Sequence, residues 1–370
     1  MSVLVINAGT KGLAFTQSLI NNNIDTYIMY GVGSIASGVL KSKPTFKERV
    51  RNNMPADNYA DPVKFPEKFA QQVLDMIKYI KPEIIFPVNA AEITALFPYR
   101  KQIELLGCVF PFGPFKIYET LRNKNLFYDF CAQHNLDICP AYKKIPFKNF
   151  YIKPVDKTSG KGVQKIIGNY LVQEEFQGVG VGYEAFCHKG KVMAHFMHKR
   201  KREYPVKGGS STSRFSWLHT GIAKDSKKLI KLTNWTGFIM LEYKYNERTN
   251  KYKLIECNPR PWGSIQLAID SGINFPVIAY NYFIKKQISF TQDYSLNTET
   301  RIVPYDMLAG ICYLFKGDWR NFIDAFSIWK KFNWEAFKPF NYRFFIINIL
   351  FTYTAIKMLL LPFVERLRRR

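Results

Sequence analysis

The hydrophobic pattern of this chain changes period once, and that change limits the folds open to it. Over about the first 115 residues, short apolar runs alternate with amphipathic stretches. "SVLVIN" reads as a strand, Gly9 and Gly12 mark a tight turn, and Leu13, Phe15, Leu19 and Ile20 form a helical stripe before the strand "TYIMY". "FPEKFAQQVLDMIKYIKP" predicts a helix, "EIIFPV" a buried strand, "NAAEITALFPYRKQIELLG" a helix and "CVFPFG" a further strand. Such alternation builds a parallel sheet with crossover helices. "FKIYETLRNKNLFYDFCAQHNLDICPAY" adds two short helices. From about residue 150 the pattern becomes strands and hairpins: "FYIKPV", "VQKII", "YLVQEEF", "GYEAFCHKGKVMAHFMHKRK" and "GFIMLEYKYNERTNKYKLIECN". The switch from alternating elements to antiparallel pairs predicts a domain boundary near 115–120.

A chain of 370 residues, 47% apolar, is long enough for two or three domains with real cores. Lys and Arg outnumber Asp and Glu by 53 to 29, a formal charge of +24. That excess favours nucleotides, nucleic acid or an acidic membrane surface without choosing among them. The cysteines at 108, 131, 139, 187, 257 and 312 form no CxxC pair. They read as reduced thiols of a cytosolic protein, not as a disulfide frame or zinc site. No charged n-region precedes "SVLVIN", so no secretory signal is expected.

Three segments carry candidate chemistry. "KPVDKTSGKGV" places Lys153 at a strand end before a small-residue loop, 158–162, whose backbone N–H groups can approach phosphate. A plain hairpin turn is the competing reading, and the Walker spacing is missing. "LVQEEFQGVGVGYEAF" has a hinge, Gln173 to Phe176, able to offer backbone groups to an adenine edge, with Glu184 placed for a ribose. An ordinary strand–loop–strand would look the same. "KLIECNPRPWGS" puts Glu256, Asn258 and Arg260 at alternate positions, hence on one face of a strand, and the neighbouring strand offers Glu242. Cross-strand neighbours lie about 5 Å apart, so the two carboxylates can meet. Two carboxylates and an amide oxygen suit Mg²⁺, which binds through one or two carboxylates plus substrate phosphates, and Arg260 can then stabilise a transferring phosphoryl group. A surface salt-bridge cluster is the alternative.

The order of these pieces resembles the ATP-grasp superfamily of carboxylate–amine ligases, over roughly residues 1–285. The resemblance implies a mixed α/β and α+β chain. A Rossmann-like pre-ATP-grasp domain would occupy 1–115 and an ATP-grasp domain 116–290, with subdomains of about 116–172 and 173–290. A helical C-terminal region would follow over 291–370. It implies that Lys124 in "LRNKNLF" and Lys153 in "YIKPV" bind ATP, that Ser159, Gly160 and Gly162 belong to a phosphate lid, and that Glu174, Glu175 and Phe176 form the adenine hinge with Glu184 on the ribose. Glu242, Glu256 and Asn258 would be ligands for Mg²⁺, with Mn²⁺ as the alternative ion, and Arg260 and Lys153 would be the catalytic cations. "HKRKREYPVKGGSSTSRFS" and "PRPWGSIQLAIDSGINFP" resemble a branch of the superfamily that often modifies polysaccharides or cell-envelope precursors.

The implied activity is carbon–nitrogen ligation through an acylphosphate, joining an amino acid or amine to a sugar acid or similar precursor. Arg202 and Arg214 are the candidates for gripping the substrate carboxylate, because a guanidinium binds it bidentately. The tail "RFFIINILFTYTAIKMLLLPFVERLRRR" is apolar over 344–356, is interrupted by Lys357 and Pro362, and ends with four arginines in five positions. It reads as an interfacial helix on an anionic cytoplasmic membrane face, as a helix packed on the protein itself, or as a span. Two other functions compete: a non-catalytic nucleotide-binding protein at the membrane, and a nucleic-acid binder. The second rests on charge alone, since no nucleic-acid module is visible.

Overall fold

The computed structural model describes residues 2–6, 9–29, 60–142, 150–154, 170–206, 208–287, 293–327 and 333–334. The loop 158–162, the expected strand "VQKII" and the C-terminal tail lie outside the described residues.

Three sheets organise these residues. The first is parallel, in the order β2-β1-β3, from β1 (Ser2–Ile6), β2 (Asp25–Met29) and β3 (Ile84–Pro87). β1 pairs on both sides, and Val3 to Ile6 are fully buried, which is why this strand is a continuous apolar run rather than an alternating one. Helices α1 (Thr10–Asn21) and α2 (Pro66–Ile80) connect it. The helical stretch that follows is broken at Pro98, which cannot continue an α-helical ladder: α3 (Ala90–Leu96), a 3₁₀ turn (Phe97–Tyr99) and α4 (Arg100–Leu105) replace one long helix. The strand expected at "CVFPFG" shrinks to a single parallel bridge between Val109 and Ile84. Pro111 and Pro114 offer no N–H to extend that pairing.

Two helices, α5 (Phe115–Arg122) and α6 (Lys124–Gln133), lead into a small antiparallel sheet, β4-β6-β5, made of β4 (Ala141–Tyr142), β5 (Phe150–Pro154) and β6 (Tyr170–Glu174). The Asn123 side chain caps α6 by accepting from the N–H groups of Asn125 and Leu126. The third sheet has seven strands in the order β11-β10-β7-β8-β9-β12-β13. They are β7 (Val179–His188), β8 (Lys191–Tyr204), β9 (Ser210–Ser216), β10 (Gly237–Asn246), β11 (Lys251–Asn258), β12 (Glu299–Arg301) and β13 (Asn333–Trp334). The helices are α7 (Thr220–Thr233), α8 (Ile265–Asp270), α9 (Phe275–Phe283), α10 (Val303–Leu314) and α11 (Trp319–Phe326). No helix among the described residues is long and apolar enough to cross a membrane.

Both apolar cores contain residues of the first sheet and of the large sheet. Leu4, Ile6 and Ile85 share one core with Tyr183, Leu241 and Tyr243. Val3, Val5 and Phe86 share the other with Phe186, Phe238 and Trp262. Phe15 of α1 packs against Phe86 (5.1 Å between ring centroids) and Phe238 (5.5 Å), and Phe238 reaches Trp262 (6.4 Å).

The region from residue 291 is more than the helical extension expected, because β12 and β13 add to the edge of the large sheet. Buried charges hold it there. Arg202 of β8 donates to Asp306 (2.9 and 2.5 Å) and to Asp324 (2.6 Å), and its side chain is fully buried. Arg301 donates to Glu299 at 2.6 Å, and Lys201 pairs with Glu299 and Asp324. Burial alone would raise the Glu299 carboxyl pKa, but the Arg301 hydrogen bond, Lys201 and Ser213 hold it below its ordinary 4.5. A carboxylate lowered in the folded state stabilises above its unfolded pKa and loses that contribution as pH falls through the folded value. Denaturant unfolding from pH 7 down to about pH 4 should therefore show stability falling more steeply in wild type than in Glu299→Gln. Identical pH slopes would contradict this.

Candidate active site on the large sheet

The β10–β11 hairpin carries the centre of the site. Asn246 closes its turn by accepting from the N–H groups of Arg248 and Thr249. Glu242 lies directly opposite Glu256, and Met240 opposite Asn258. On the turn side of the Glu242–Glu256 pair Tyr243 faces Leu254, so Ile255 is an extra residue, a β-bulge. The bulge resets the alternation. Leu254 and Cys257 both point into the core beside Leu241 and Tyr243, while Glu256 takes the other face with Glu242.

The expected residues converge there. The Asn258 amide donates to Glu242 Oε1 (3.1 Å) and Glu256 Oε1 (3.2 Å). Lys124 Nζ, at the start of α6, lies 3.8 Å from Glu256 Oε2. Arg260 donates to Asn258 Oδ1 at 2.8 Å and to the Pro261 carbonyl at 3.0 Å. Burial lowers the Arg260 pKa against the pull of Glu242 and Glu256.

Sequence reasoning passed over Arg200. Its guanidinium donates to Glu242 Oε2 at 2.6 Å, so the outer oxygen of each carboxylate has a cation, Arg200 on one and Lys124 on the other. Burial opposes the Arg200 charge, yet Glu242, Glu203 and Glu256 hold its pKa above the usual value. A signal for it lies in "GVGVG". A Cβ on Gly180 would sit 2.7 Å from Arg200 Cδ, and one on Gly182 would sit 2.4 Å from His198 Cε1. Glycine at alternate positions of β7 clears the sheet face for the large side chains of β8.

The donor set fits a divalent cation. Two carboxylates facing each other across a strand pair are bridged at their inner oxygens by the Asn258 amide, and all three groups are hard-donor types. Among the described residues, no group of three or more His, Cys, Asp or Glu is placed to hold a metal ion by itself.

Other expected residues sit elsewhere. Glu174, Glu175 and Phe176 cross from the small sheet to the large one. The Glu174 N–H donates to the Pro140 carbonyl at 2.9 Å, Glu174 is exposed, and the other two are half-buried. Lys153 lies on β5 opposite Leu171. Ser159, Gly160 and Gly162 are outside the described residues.

Three assignments need correction. Glu184 is fully buried, accepts from Ser264 Oγ and lies 2.9 Å from His198 Nδ1, so it supports the 260–264 segment rather than meeting a ribose. Arg202 is consumed by Asp306 and Asp324 and cannot hold substrate. Arg214, 4% exposed, donates to the Ser211 and Gly263 carbonyls, and burial pushes its pKa down to about 10 against Glu184. It too braces the 260–264 segment.

The glycine face gives a direct test. Gly182→Ala should cost about 1–3 kcal/mol in denaturant unfolding, because His198 is held by Glu184 and cannot retreat freely. Gly263→Ala, with nothing within 4 Å of the added Cβ, should change stability by less than about 0.5 kcal/mol. Equal effects would refute the role given to the glycines.

A family model described as "ATP-grasp in the biosynthetic pathway with Ter operon" matches residues 168–303, just over a third of the chain. No curated protein matches the sequence. The biotin carboxylase domain of Hydrogenobacter thermophilus 2-oxoglutarate carboxylase, solved with MgADP, ADP and bicarbonate, superposes with a TM-score of 0.61 at 13% identity, covering 80% of this chain and 73% of that one. Rhizobium etli pyruvate carboxylase gives 0.61 at 14% identity over 80% of this chain, which spans only 30% of the carboxylase. L-amino acid ligase from Bacillus licheniformis gives 0.53 at 13%, covering 76% and 74%. Such distant likenesses establish architecture, and with the family match they agree with the sequence resemblance: this chain has the ATP-grasp fold.

Proposed function

We propose that this chain is an ATP- and Mg²⁺-dependent carboxylate–amine ligase working through an acylphosphate. The observation that carries the reading is the Glu242–Glu256 pair, closed by Asn258 and flanked by Lys124, Arg200 and Arg260. Among similar structures, one was solved with MgADP and bicarbonate and another is an L-amino acid ligase, which supports the same class of chemistry. Glu242, Glu256 and Asn258 would hold Mg²⁺, with the Asn258 amide turned to present its oxygen. Bound there, the ion would neutralise charge on the β- and γ-phosphates. Glu174, Glu175 and Phe176 would meet the adenine at the crossing between sheets. Lys124, Lys153 and Arg260 would bind phosphate oxygens, and Ser159, Gly160 and Gly162 would close the loop over them and keep water out.

The substrate carboxylate attacks the γ-phosphorus, ADP leaves, and an acylphosphate results. The amine then attacks the acyl carbon, loses a proton, and phosphate departs. A sugar acid or other cell-envelope precursor is the proposed acyl partner and an amino acid or amine the nucleophile, on the strength of the "HKRKREYPVKGGSSTSRFS" and "PRPWGSIQLAIDSGINFP" segments. The basic apolar tail would place this work on the anionic inner face of a membrane. Phe315 (85% exposed) and Trp319 (61%), beside Lys316 and Arg320, support that placement.

Incubating the full chain with Mg-ATP and pools of carboxylates and amines should release ADP and phosphate only when both substrates are present. Glu256→Gln should lower that rate at least about 100-fold, roughly 2.7 kcal/mol of barrier. Failure of the wild type to bind Mg-ATP would overturn the reading.

A further inference from the structure

A second concave site lies at the far end of the large sheet from the carboxylate pair. A cavity of about 750 Å³ opens where the segment 107–114, leaving the first sheet, meets the turn between β7 and β8 and the residues entering β10. Phe110, Phe112 and Phe283 are among the residues of its wall. That volume is ordinary for a small-molecule site, and so is a mostly apolar wall with a few polar groups. Thr236, at the cavity, and Glu242 are six residues apart along the chain, about 20 Å in an extended strand.

The walls are pinned to one another. Thr236 ties two of them: its carbonyl accepts from the Gly113 N–H at 2.7 Å, and its hydroxyl accepts from the Lys189 N–H at 2.8 Å. The Gly190 N–H donates to the Trp235 carbonyl at 2.9 Å. Arg100 donates to the Phe112 and Gly113 carbonyls at 2.7 and 2.8 Å. A cavity framed in this way is formed before any ligand arrives, which lowers the cost of binding.

Two features point to its occupant. The first is His188, which lines the cavity with its ring 5.0 Å from Tyr282 and 6.3 Å from Phe283. Its Nδ1 is buried without a hydrogen-bond partner, a cost that a ligand could remove. Burial, and then the Lys189 charge, hold the His188 pKa below its ordinary 6.5, so at pH 7 the ring is neutral and has one N–H to give. The second is Lys189. With Gly190 it forms the two-residue turn between His188 and Lys191, both at positive φ (46° and 74°). Such turns favour Asn, Asp or Gly at the first place, so a lysine there is a strained choice. Arg100 and Glu104 hold each other at 2.8 Å, which leaves the exposed Lys189 as the unmatched charge among the described residues of the wall.

We propose that this cavity binds a small aromatic carboxylate, its ring against Phe110, Phe112 and Phe283 and its carboxylate between the Lys189 ammonium and His188 Nδ1. None of these residues belongs to the carboxylate cluster, so the ligand would be an effector rather than a reactant. Its binding does not depend on the ligase chemistry.

Equilibrium dialysis of the full chain against 2-naphthoate, read by the fluorescence of the probe, tests this. One saturable site per chain is expected, unaffected by Mg-ADP. The uncharged 2-naphthamide should bind at least about tenfold more weakly. Lys189→Asn installs a residue that the turn favours and removes the charge. It should keep the fold, checked by urea unfolding, and weaken 2-naphthoate at least about tenfold. His188→Phe keeps a ring beside Tyr282 and Phe283 without an N–H, and should weaken the probe at least about fivefold. No saturable binding by wild type, displacement of the probe by Mg-ADP, equal binding of 2-naphthamide, or unchanged affinity in either variant would overturn the proposal.

Discussion

Two carboxylates placed directly opposite each other on neighbouring strands repel, and much of the local architecture answers that repulsion. Asn258 bridges the inner oxygens of Glu242 and Glu256, while Arg200 and Lys124 neutralise the outer ones. Each of these comes from a different element: the end of β11, the middle of β8 and the start of α6. Like charges so placed are destabilising unless a cation compensates. The cluster therefore ties three parts of the chain to one point.

The surrounding fold makes that cluster possible. The bulge at Ile255 keeps Leu254 in the core yet turns Glu256 to the opposite face. Gly180 and Gly182 remove the side chains that would otherwise occupy the space of Arg200 and His198. Behind the cluster, Glu184, His198, Ser264 and Arg214 support the segment that carries Arg260. Both apolar cores include strands of the first sheet and of the large sheet, so core packing fixes the two sheets against each other.

The alternation in "KLIECNPR" was readable because strand periodicity is local, and Glu242 could be paired with Glu256 because the hairpin turn sets the register. The helices at 115–133 were legible for the same local reasons. The Ile255 bulge was not, because it depends on which neighbour pairs with which. Arg202 and Arg200 look equivalent in "HKRKREY", two positions apart. Their fates differ because Asp306 and Asp324, about a hundred residues later, fold against one and Glu242 against the other. A buried Glu184 resembles a ribose ligand in sequence, and only its Ser264 and His198 partners reveal otherwise. "CVFPFG" has strand hydrophobicity, but Pro111 within it and Pro114 just after it limit it to one bridge.

The proposed ligase chemistry needs Glu242, Glu256 and Asn258 to hold a divalent cation together with nucleotide phosphates. Electron paramagnetic resonance of Mn²⁺, titrated into the full chain with and without ADP, tests it most directly. Tight Mn²⁺ binding is expected only with ADP present, weakened at least tenfold, about 1.4 kcal/mol, in Glu242→Gln. Mn²⁺ binding that ignores the nucleotide, or that survives unchanged in Glu242→Gln, would contradict it.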